Sequence, residues 1–327
     1  MSNKLIRLGP TGIEYGDYAW NFYSGCRHHE EGKCAANPCW AETFVKRFPK
    51  VYPNGFAPTF HPEAFLSPLA LPKKKAFNRV DGKPRVLVNF MGDMFGDWVD
   101  PRQKFPLDLG YAKFDEMLYI TIKNTILKRP DLTFVFCTKN PAGMQSWGKF
   151  PDNCEVGFSL TDSEEFLPRF EAMAEVNARV KWISIEPLLK WREDFYTDAW
   201  KEFDWVALGG LTGARGDLDR VIGDYPKLRF RHLSEKGNRY VLAPPVAWLK
   251  NIVSQCDAAG TKVFIKDNLS KWLTDYDFET HMADHDLFFE TMSGLRQDCG
   301  GRISETVRVT EPNDGEFYQE PEVQEES

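Results

Sequence analysis

Residues 133–138 have the sequence Thr-Phe-Val-Phe-Cys-Thr, a nearly continuous apolar run that is followed by Lys139. Such runs are typical of strands that are buried on both faces, as in parallel sheets. Six further runs have the same character and predict strands at 18–22, 86–91, 155–160, 181–186, 205–209 and 262–266. Because segments with helical spacing lie between them, the sequence predicts a parallel α/β fold.

Two helices are predicted by apolar spacing. Phe114, Leu118, Ile122 and Ile126 recur every fourth residue, which is typical of an amphipathic helix. Residues 245–259 predict a second helix that begins at a proline pair and ends at Gly260. Six or seven strand–helix units favour a complete or partial barrel over an open sheet.

The connection between residues 212 and 243 is unusually long for a compact domain. A loop of this length is usually functional or disordered. Its basic side chains are Lys227, Arg229, Arg231, His232, Lys236 and Arg239.

The chain has 327 residues and a formal net charge of −7, from 48 acidic and 41 basic side chains. Seven carboxylates and no Lys or Arg follow Val309, so an acidic, disordered tail is expected at 309–327. The rest of the chain is electrically neutral. No apolar stretch is long enough to span a membrane, and the first residues do not resemble a secretory signal. A cytoplasmic location is therefore expected.

Three of the seven cysteines lie close together, directly after the first predicted strand. Residues 20–26 are Trp-Asn-Phe-Tyr-Ser-Gly-Cys, and Cys34 and Cys39 follow in a loop-like segment. Thiolates suit iron–sulfur clusters and zinc. Three thiolates on a [4Fe–4S] cluster leave one iron open to a small molecule. The alternatives are zinc in a Cys3His site with His28 or His29, and thiols that bind nothing. Without a metal, both histidines are expected to be exposed.

The other cysteines have no obvious chemical role. Cys137 and Cys154 fall in predicted strands and Cys256 on an apolar helix face, where a cysteine acts as a small hydrophobe. Cys299, between an acidic residue and two glycines, is a candidate for a second site. The sequence contains no phosphate-binding loop, dinucleotide fingerprint or Gly-x-Ser-x-Gly elbow, which argues against a hydrolase or dinucleotide enzyme.

With its cysteine loop after a first strand, the sequence resembles the radical SAM superfamily. Its spacing, Cys-x7-Cys-x4-Cys, is wider than the usual Cys-x3-Cys-x2-Cys. It is similar to a phage-associated branch in which the last cysteine precedes an aromatic residue and Ala-Glu, as Cys39 does here. Shorter motifs of that branch are matched in order at 88–95, 138–141, 157–159, 185–189, 204–206, 209–210 and 264–266. The resemblance covers residues 18–266.

The resemblance implies a partial triosephosphate-isomerase-type barrel of six or seven βα units over residues 1–270. An extension at 271–308 and the acidic tail would follow. The cysteine loop would lie at the carboxyl ends of the strands, where such barrels have their active sites. A [4Fe–4S] cluster on Cys26, Cys34 and Cys39 would bind S-adenosylmethionine through its amino and carboxylate groups. One electron would then cleave a carbon–sulfur bond and produce a 5′-deoxyadenosyl radical.

Residues at the predicted strand ends are the other candidates for the site. Gly92 permits close backbone approach and Asp93 can accept from the ammonium of the cofactor, although an ordinary capped turn is the alternative. The remaining candidates for cofactor binding are Asn21, Trp40, Ser159, Gly209 and Gly210. The candidates on the substrate side are Glu186, Lys139 and Lys266, with a structural ion pair or a solvated amine as the alternative.

The branch is associated with phages, some of which modify the bases of their DNA. The resemblance therefore implies a nucleobase or nucleotide substrate, in free form or in DNA, which the enzyme rearranges (as an isomerase or mutase) or otherwise modifies. The location would be the host cytoplasm, and a reductase or flavodoxin-type protein would donate the electron. Basic residues at 73–75, 79, 83 and 85 agree with a nucleic-acid partner. A zinc-stabilised nucleic-acid-binding protein without radical chemistry is the alternative.

Overall fold

The computed structural model describes residues 8–30, 34, 39–72, 83–108, 113–233 and 238–270. The predicted extension and tail, Cys299, Lys236 and the basic residues at 73–75 and 79 lie outside these described residues. The strands are β1 (Leu8–Pro10), β2 (Tyr18–Trp20), β3 (Tyr23–Ser24), β4 (Thr59–Phe60), β5 (Arg85–Val88), β6 (Lys104–Asp108), β7 (Lys113–Met117), β8 (Thr133–Thr138), β9 (Cys154–Asp162), β10 (Val180–Lys190), β11 (Trp205–Leu208), β12 (Leu211–Gly213), β13 (Arg229–His232), β14 (Tyr240–Ala243) and β15 (Lys262–Ile265). The helices are α1 (Trp40–Arg47), α2 (Leu118–Leu127), α3 (Pro141–Gln145), α4 (Phe166–Ala174), α5 (Arg215–Ile222), α6 (Val246–Ala259) and α7 (Asp267–Ser270). Short 3-10 helices lie at Pro62–Ala64, Ser67–Ala70, Ser163–Glu165 and Asp198–Glu202.

An eight-stranded sheet in the order β1-β2-β5-β8-β9-β10-β11-β15 forms the centre of the molecule. The seven strands from β2 to β15 are parallel and follow one another in chain order, and β1 pairs antiparallel with β2. All seven predicted strands are present, so the parallel α/β prediction is confirmed. Parallel pairing places their carboxyl ends along one edge of the sheet.

The sheet is curved, and Tyr15 lies on its concave face. The Tyr15 ring is 5.9 Å from the Phe264 ring on β15, and the Tyr15 carbonyl accepts from Arg85 Nε on β5 at 2.9 Å. Strands lie roughly 4.8 Å apart, so five strand intervals in a flat sheet would separate β5 from β15 by roughly 24 Å. One residue contacts both strands only if the sheet bends around it. Among the described residues no strand pair joins β1 to β15, so the described sheet is open.

Large aromatic side chains fill the concave face below its carboxyl edge. The Trp182 and Trp205 rings stack with centroids 4.2 Å apart, and Tyr15 packs against both. The buried Arg85 pairs there with the partly buried Glu155, with Arg85 Nη1 2.8 Å from Glu155 Oε1. Arg85 was expected to belong to a basic surface, and that expectation is wrong because its guanidinium is committed to Glu155 inside the sheet.

The convex face carries the main apolar core, against which the helices pack. Helix α6 confirms its prediction: Pro245 is the N-cap, and Gly260 ends the helix in the left-handed region at φ 74°. Its buried face includes Leu249, Ile252 and Cys256, which confirms the expected role of that cysteine as a core residue. Within the described residues, no helix combines the length and apolar character needed to cross a membrane.

The structure differs from the sequence prediction in three elements. Residues 113–117 pair with 104–108 as a hairpin, so the helix predicted from Phe114 begins only at Leu118. Strand β10 does not end at Glu186 but continues to Lys190, with a register shift after Ile185. The long connection at 212–243 is not a loop. It forms helix α5 and a three-stranded antiparallel sheet in the order β12-β14-β13.

Candidate functional site

The carboxyl edge of the sheet brings most of the predicted site residues together. Ile185 pairs with Leu208, and Leu208 pairs with Ile265. The residues that follow these three positions in the chain therefore stand side by side at one level. They are Glu186, Gly209 and Lys266.

The three cysteines of the loop lie close enough to influence one another electrostatically. Burial raises the pKa of the Cys26 thiol to about 12, and the neighbouring Asp93, Cys34 and Cys39 contribute to the shift. Burial also raises the pKa of Cys39, with Cys34 again adding to it. A cationic metal group reverses this preference, because a thiol that coordinates metal is deprotonated outright.

Helix α1 begins directly after Cys39, and its first turn faces that sulfur. Burial raises the pKa of the Cys39 thiol, and the nearby backbone amides of Ala41 and Glu42 lower it in opposition. Amides at a helix N-terminus stabilise a thiolate in this way. The local fold of α1 thus favours Cys39 as an anionic ligand.

Gly92 contacts the cysteine loop itself. Gly25 and Gly92 form a parallel bridge, and Asp93 N donates to the Gly25 carbonyl at 3.3 Å. A Cβ at Gly92 would lie 2.4 Å from that carbonyl oxygen, so only glycine fits. Gly25 has φ +89° and equally little room against Ala57. The close approach predicted for Gly92 therefore exists, but its partner is the backbone that leads into Cys26.

Asp93 is a buried acceptor for several protein donors. Its carboxylate accepts from His28 Nε2 at 2.7 Å, Thr138 Oγ1 at 2.8 Å, Lys139 N at 2.9 Å and Phe95 N at 3.0 Å. Burial by itself would raise the pKa of Asp93, but the hydrogen bonds and the charge of His28 outweigh it and lower the pKa. Four protein donors therefore bind the Asp93 carboxylate in the described structure. In the described structure Asp93 holds the loop, and its assignment to the cofactor ammonium stays a prediction.

His28 is not the exposed loop residue that the sequence predicted. It is 1% exposed, its ring packs against Trp98 at 5.0 Å, and its Nε2 is bound to Asp93. Since His28 lies two residues after Cys26, the His28–Asp93 bond ties the cysteine loop to the end of β5. His29, in contrast, is exposed as expected.

Asn21 and Ser159 keep polar groups at the edge where a ligand could meet them. Asn21 is buried directly after β2, and its Oδ1 has no hydrogen-bond partner among the described residues. Ser159 Oγ lies 3.5 Å from Lys139 Nζ, which brings two predicted site residues together. A buried acceptor without a partner is costly unless something fills its place.

On the far side of the sheet edge, a lysine lies between two carboxylates. Lys266 Nζ is 3.3 Å from Glu186 Oε1 and 3.7 Å from Glu14 Oε2. Burial would lower the pKa of Lys266, but Glu186 and Glu14 outweigh it and raise the pKa. Glu186 Oε2 also accepts from Tyr15 OH at 3.0 Å and Ser184 Oγ at 3.2 Å. The predicted pair Glu186 and Lys266 is thus an ordered, charged group.

Gly209 and Gly210 make room for protein groups. A Cβ at Gly209 would stand 3.0 Å from Glu186 Oε1 and 3.2 Å from Lys266 Cδ. Gly210 packs against Val241, and its amide and carbonyl bond the Asn268 side chain at 3.3 and 2.8 Å. Both glycines were predicted to contact cofactor. Within the described residues their close contacts are with side chains of the site and of the β12-β14-β13 sheet.

Arg169 is a site residue that the sequence reasoning missed. It is 9% exposed, its Nη2 pairs with Glu165 at 3.3 Å, and its buried Nη1 has no hydrogen-bond partner among the described residues. Burial lowers the pKa of Arg169, and the charge of Glu165 partly offsets this, with smaller contributions from Cys137, Asp93 and Cys34. A signal existed in the sequence: Arg169 occupies the i+3 position of an apolar stripe formed by Phe166, Phe170 and Met173.

Glu14 and Tyr15 were also missed, because the segment between β1 and β2 has no motif that sequence reasoning could use. Cys137 faces the concave side of the sheet, where burial raises its pKa far above the usual value.

Trp40, predicted to bind cofactor, is 57% exposed at the start of α1. Its indole therefore lies on the outer surface.

The donor set fits a cluster better than a single ion. Within the described ranges, no three His, Cys, Asp or Glu side chains converge closely enough to hold one metal ion. A four-iron cluster is much larger than an ion, so its thiolate ligands stand further apart. Three half-buried thiols that interact electrostatically, with no fourth cysteine near them in the sequence, would suit a [4Fe–4S] cluster with one open iron, and this ligand set stays a prediction.

Fold and site together define an α/β protein with a three-cysteine loop at the carboxyl edge of a curved parallel sheet. The chain belongs to the DUF5131 family, described as a protein of unknown function, whose model matches residues 10–217. The search of curated proteins found no match.

Solved structures of spore photoproduct lyase are similar in overall shape. A mutant with the dinucleoside spore photoproduct has a TM-score of 0.47 and 11% identity over 80% of each chain. A second mutant, with bound AdoMet and the same dinucleoside, has a TM-score of 0.46 and 12% identity, covering 79% of this chain and 78% of its own. Both TM-scores are below 0.5, so the chemistry of the site rests on the residues of this chain.

Proposed function

We propose that this protein is a radical S-adenosylmethionine enzyme that rearranges or otherwise modifies a nucleobase or nucleotide derivative. The observation that carries the proposal is the cysteine loop. Three mutually interacting thiols are held at the carboxyl edge of the sheet by the Gly25–Gly92 bridge and the His28–Asp93 bond. A partial barrel is the architecture that we propose for residues 1–270.

Cys26, Cys34 and Cys39 would hold the cluster. When bound, such a cluster supplies the single electron that cleaves a carbon–sulfur bond of S-adenosylmethionine and yields a 5′-deoxyadenosyl radical. The protein contributes placement: Asp93 and His28 fix the loop, and the first turn of α1 stabilises the Cys39 thiolate.

The cofactor would lie between the cysteine loop and the ends of the neighbouring strands. The unpartnered Oδ1 of Asn21 can accept from a cofactor donor, and Ser159 Oγ can bond a ribose hydroxyl. The buried Nη1 of Arg169 can donate to the methionine carboxylate, because it has no hydrogen-bond partner among the described residues. Asn21 Oδ1 and Arg169 Nη1 have no hydrogen-bond partner among the described residues, and the Ser159 hydroxyl can still donate.

The substrate would bind on the side of the carboxyl edge that carries Glu186 and Lys266. Glu186 and Lys266 offer a fixed acceptor and a fixed donor, and Lys139 Nζ lies at the same edge. The β12-β14-β13 sheet follows Gly210 directly, and its edge strand β13 exposes Arg229, Arg231 and His232. Basic side chains beside a site favour a phosphate-bearing substrate such as a nucleotide.

The proposal is tested by anaerobic reconstitution with iron and sulfide. The loaded protein, reduced with dithionite and supplied with S-adenosylmethionine, is expected to form 5′-deoxyadenosine and methionine, which mass spectrometry measures. Candidate nucleosides and oligonucleotides are then screened for a change of mass. A colourless protein that retains stoichiometric zinc and cleaves no S-adenosylmethionine would instead support the zinc-stabilised nucleic-acid-binding alternative.

Replacing Arg169 with methionine is expected to weaken S-adenosylmethionine binding. A hydrogen bond to a charged group contributes about 1.5–3 kcal/mol, so the dissociation constant should rise roughly 10- to 100-fold. Equilibrium dialysis with the loaded, unreduced protein measures it. The control is Arg179→Met, because Arg179 is exposed and bonds only the Asp152 carbonyl at 3.0 Å among its recorded contacts. Equal affinity in both variants would remove Arg169 from the cofactor site.

A further inference from the structure

Helix α1 presents an aromatic face to solvent. Trp40 is 57% exposed, Phe44 40% and Phe48 45%, and the Phe44 and Phe48 rings lie 4.8 Å apart. Isolated exposed apolar residues are ordinary, but a contiguous aromatic patch indicates an interaction surface. We call Trp40, Phe44, Arg47 and Phe48 the α1 face.

The orientation of the α1 face is fixed by the opposite side of the helix. Ala41 and Val45 are buried there and pack with Tyr52 and Met91. Arg47 follows Trp40 by seven residues, so it lies on the same exposed side as the aromatic rings. The aromatic residues therefore cannot turn inward without giving up this small core.

The surroundings of the aromatic rings are basic. Arg47 is exposed on the α1 face, and Lys50 is exposed two residues after Phe48. The acidic residue of the helix, Glu42, points to another side and is paired with Lys46 at 2.8 Å. An aromatic centre with a charged rim is typical of protein–protein interfaces. A basic rim favours an acidic partner.

The α1 face also adjoins a proposed cluster ligand. Trp40 follows Cys39 directly, and Thr43 bonds the Cys39 carbonyl through its amide at 3.0 Å and its hydroxyl at 2.9 Å. A protein that docks on this face would lie beside the segment that carries the Cys39 thiol. Proximity of this kind is what transfer of an electron between two proteins requires.

We propose that the α1 face docks an acidic one-electron donor protein of the flavodoxin type. This inference rests on the proposed function, which requires an electron from outside the chain. In the step, the reduced partner would lose one electron to the group that Cys26, Cys34 and Cys39 would hold, and no bond of the protein forms or breaks. The aromatic rings supply affinity, and the basic rim steers the encounter.

A single-stranded nucleic acid is the other partner that basic and aromatic residues fit. The geometry favours a protein, because Phe44 and Phe48 pack against each other at 44° and form one patch. Bases that stack one after another need separate ring faces. Nucleic-acid binding is therefore an outcome that the experiment must be able to detect.

The experiment compares two surface variants with matched controls in the loaded protein. Phe44→Ser/Phe48→Ser removes apolar rings, and Arg47→Glu/Lys50→Glu reverses the rim charge. The controls, Leu127→Ser/Leu167→Ser and Lys128→Glu/Arg220→Glu, make the same changes at exposed residues of other helices. Each protein is reduced once by a reduced flavodoxin and once by dithionite, which needs no docking surface. Thermal unfolding verifies that all variants fold.

We expect both α1 variants to bind flavodoxin about tenfold more weakly or worse in surface plasmon resonance. Flavodoxin-driven reduction should slow in parallel, while dithionite-driven reduction and S-adenosylmethionine cleavage stay unchanged. Flavodoxin binding and reduction at the control rate would overturn the inference. Loss of oligonucleotide binding with normal flavodoxin reduction would overturn it in favour of nucleic acid. If dithionite also fails to reduce the unaltered protein, that result would contradict the proposed function instead.

Discussion

Replacing any one of Cys26, Cys34 and Cys39 with alanine is expected to abolish cluster assembly and S-adenosylmethionine cleavage. Each thiolate would bind a different iron of the cluster, so the loss of one leaves two open irons and a cluster that is easily lost. After anaerobic reconstitution, bound iron and sulfide, visible absorption and 5′-deoxyadenosine formation are measured. All of these should fall to background in each variant.

The chain provides matched controls for this experiment. Cys154 and Cys256 are buried in β9 and α6, far from the loop in sequence, and burial raises the pKa of both thiols. Cys154→Ala and Cys256→Ala are expected to lower stability modestly but to retain iron and activity. Full iron content in an alanine variant of Cys26, Cys34 or Cys39 would refute that residue as a ligand.

The seven parallel strands could be predicted from the sequence because each is a nearly continuous apolar run. Burial on both faces demands such a run, whatever the rest of the fold does. The carboxyl-edge residues Glu186 and Lys266 could be predicted for the same reason, since parallel strands align their ends. Curvature could not be predicted, because it depends on contacts such as Tyr15 with Phe264 that join distant parts of the chain.

The roles of individual residues were harder to predict than their positions. His28 has a sequence context of charged residues that favours exposure, yet its bond to Asp93 offsets the cost of burial. Gly92 was predicted to approach the cofactor, and its close contact among the described residues is with the Gly25 backbone, which the sequence alone does not indicate. Arg169 was detectable in principle, as a charge on an apolar helix stripe.

The connection between β11 and α6 shows a second reason why an element could not be predicted from the sequence. Its length and basic residues predicted a loop, whereas β13 and β14 pair with only a short link between them. Phe230 and Tyr240 belong to these strands, and the Arg215 guanidinium stacks 3.6 Å from the Phe230 ring. Short strands with alternating charged and apolar residues resemble polar loops unless their pairing partner is known.

Replacing Asp93 with asparagine is expected to lower both the stability of the fold and the yield of cluster. The carboxylate accepts from four side-chain or backbone donors, and an amide group would turn its NH2 toward some of them. Leaving buried donors unsatisfied should reduce the free energy of unfolding by on the order of 3 kcal/mol. Urea unfolding measures this loss, and iron content after reconstitution should fall because His28 no longer fixes the cysteine loop.

The pH dependence of stability distinguishes an effect of the Asp93 charge from a general loss of packing. Its pKa lies below the ordinary carboxyl value of 3.8, so its charged form stabilises the native state above that pH. This contribution is lost as the pH falls through the lowered pKa of the folded protein. The stability difference between wild type and Asp93→Asn should therefore be largest near neutral pH and shrink below about 4. Asp100→Asn is the control, because Asp100 lies in the same loop, is exposed and caps only the Arg102 amide among its recorded side-chain contacts. A difference that stays constant down to acid pH would mean that the charge of Asp93 does not hold the loop.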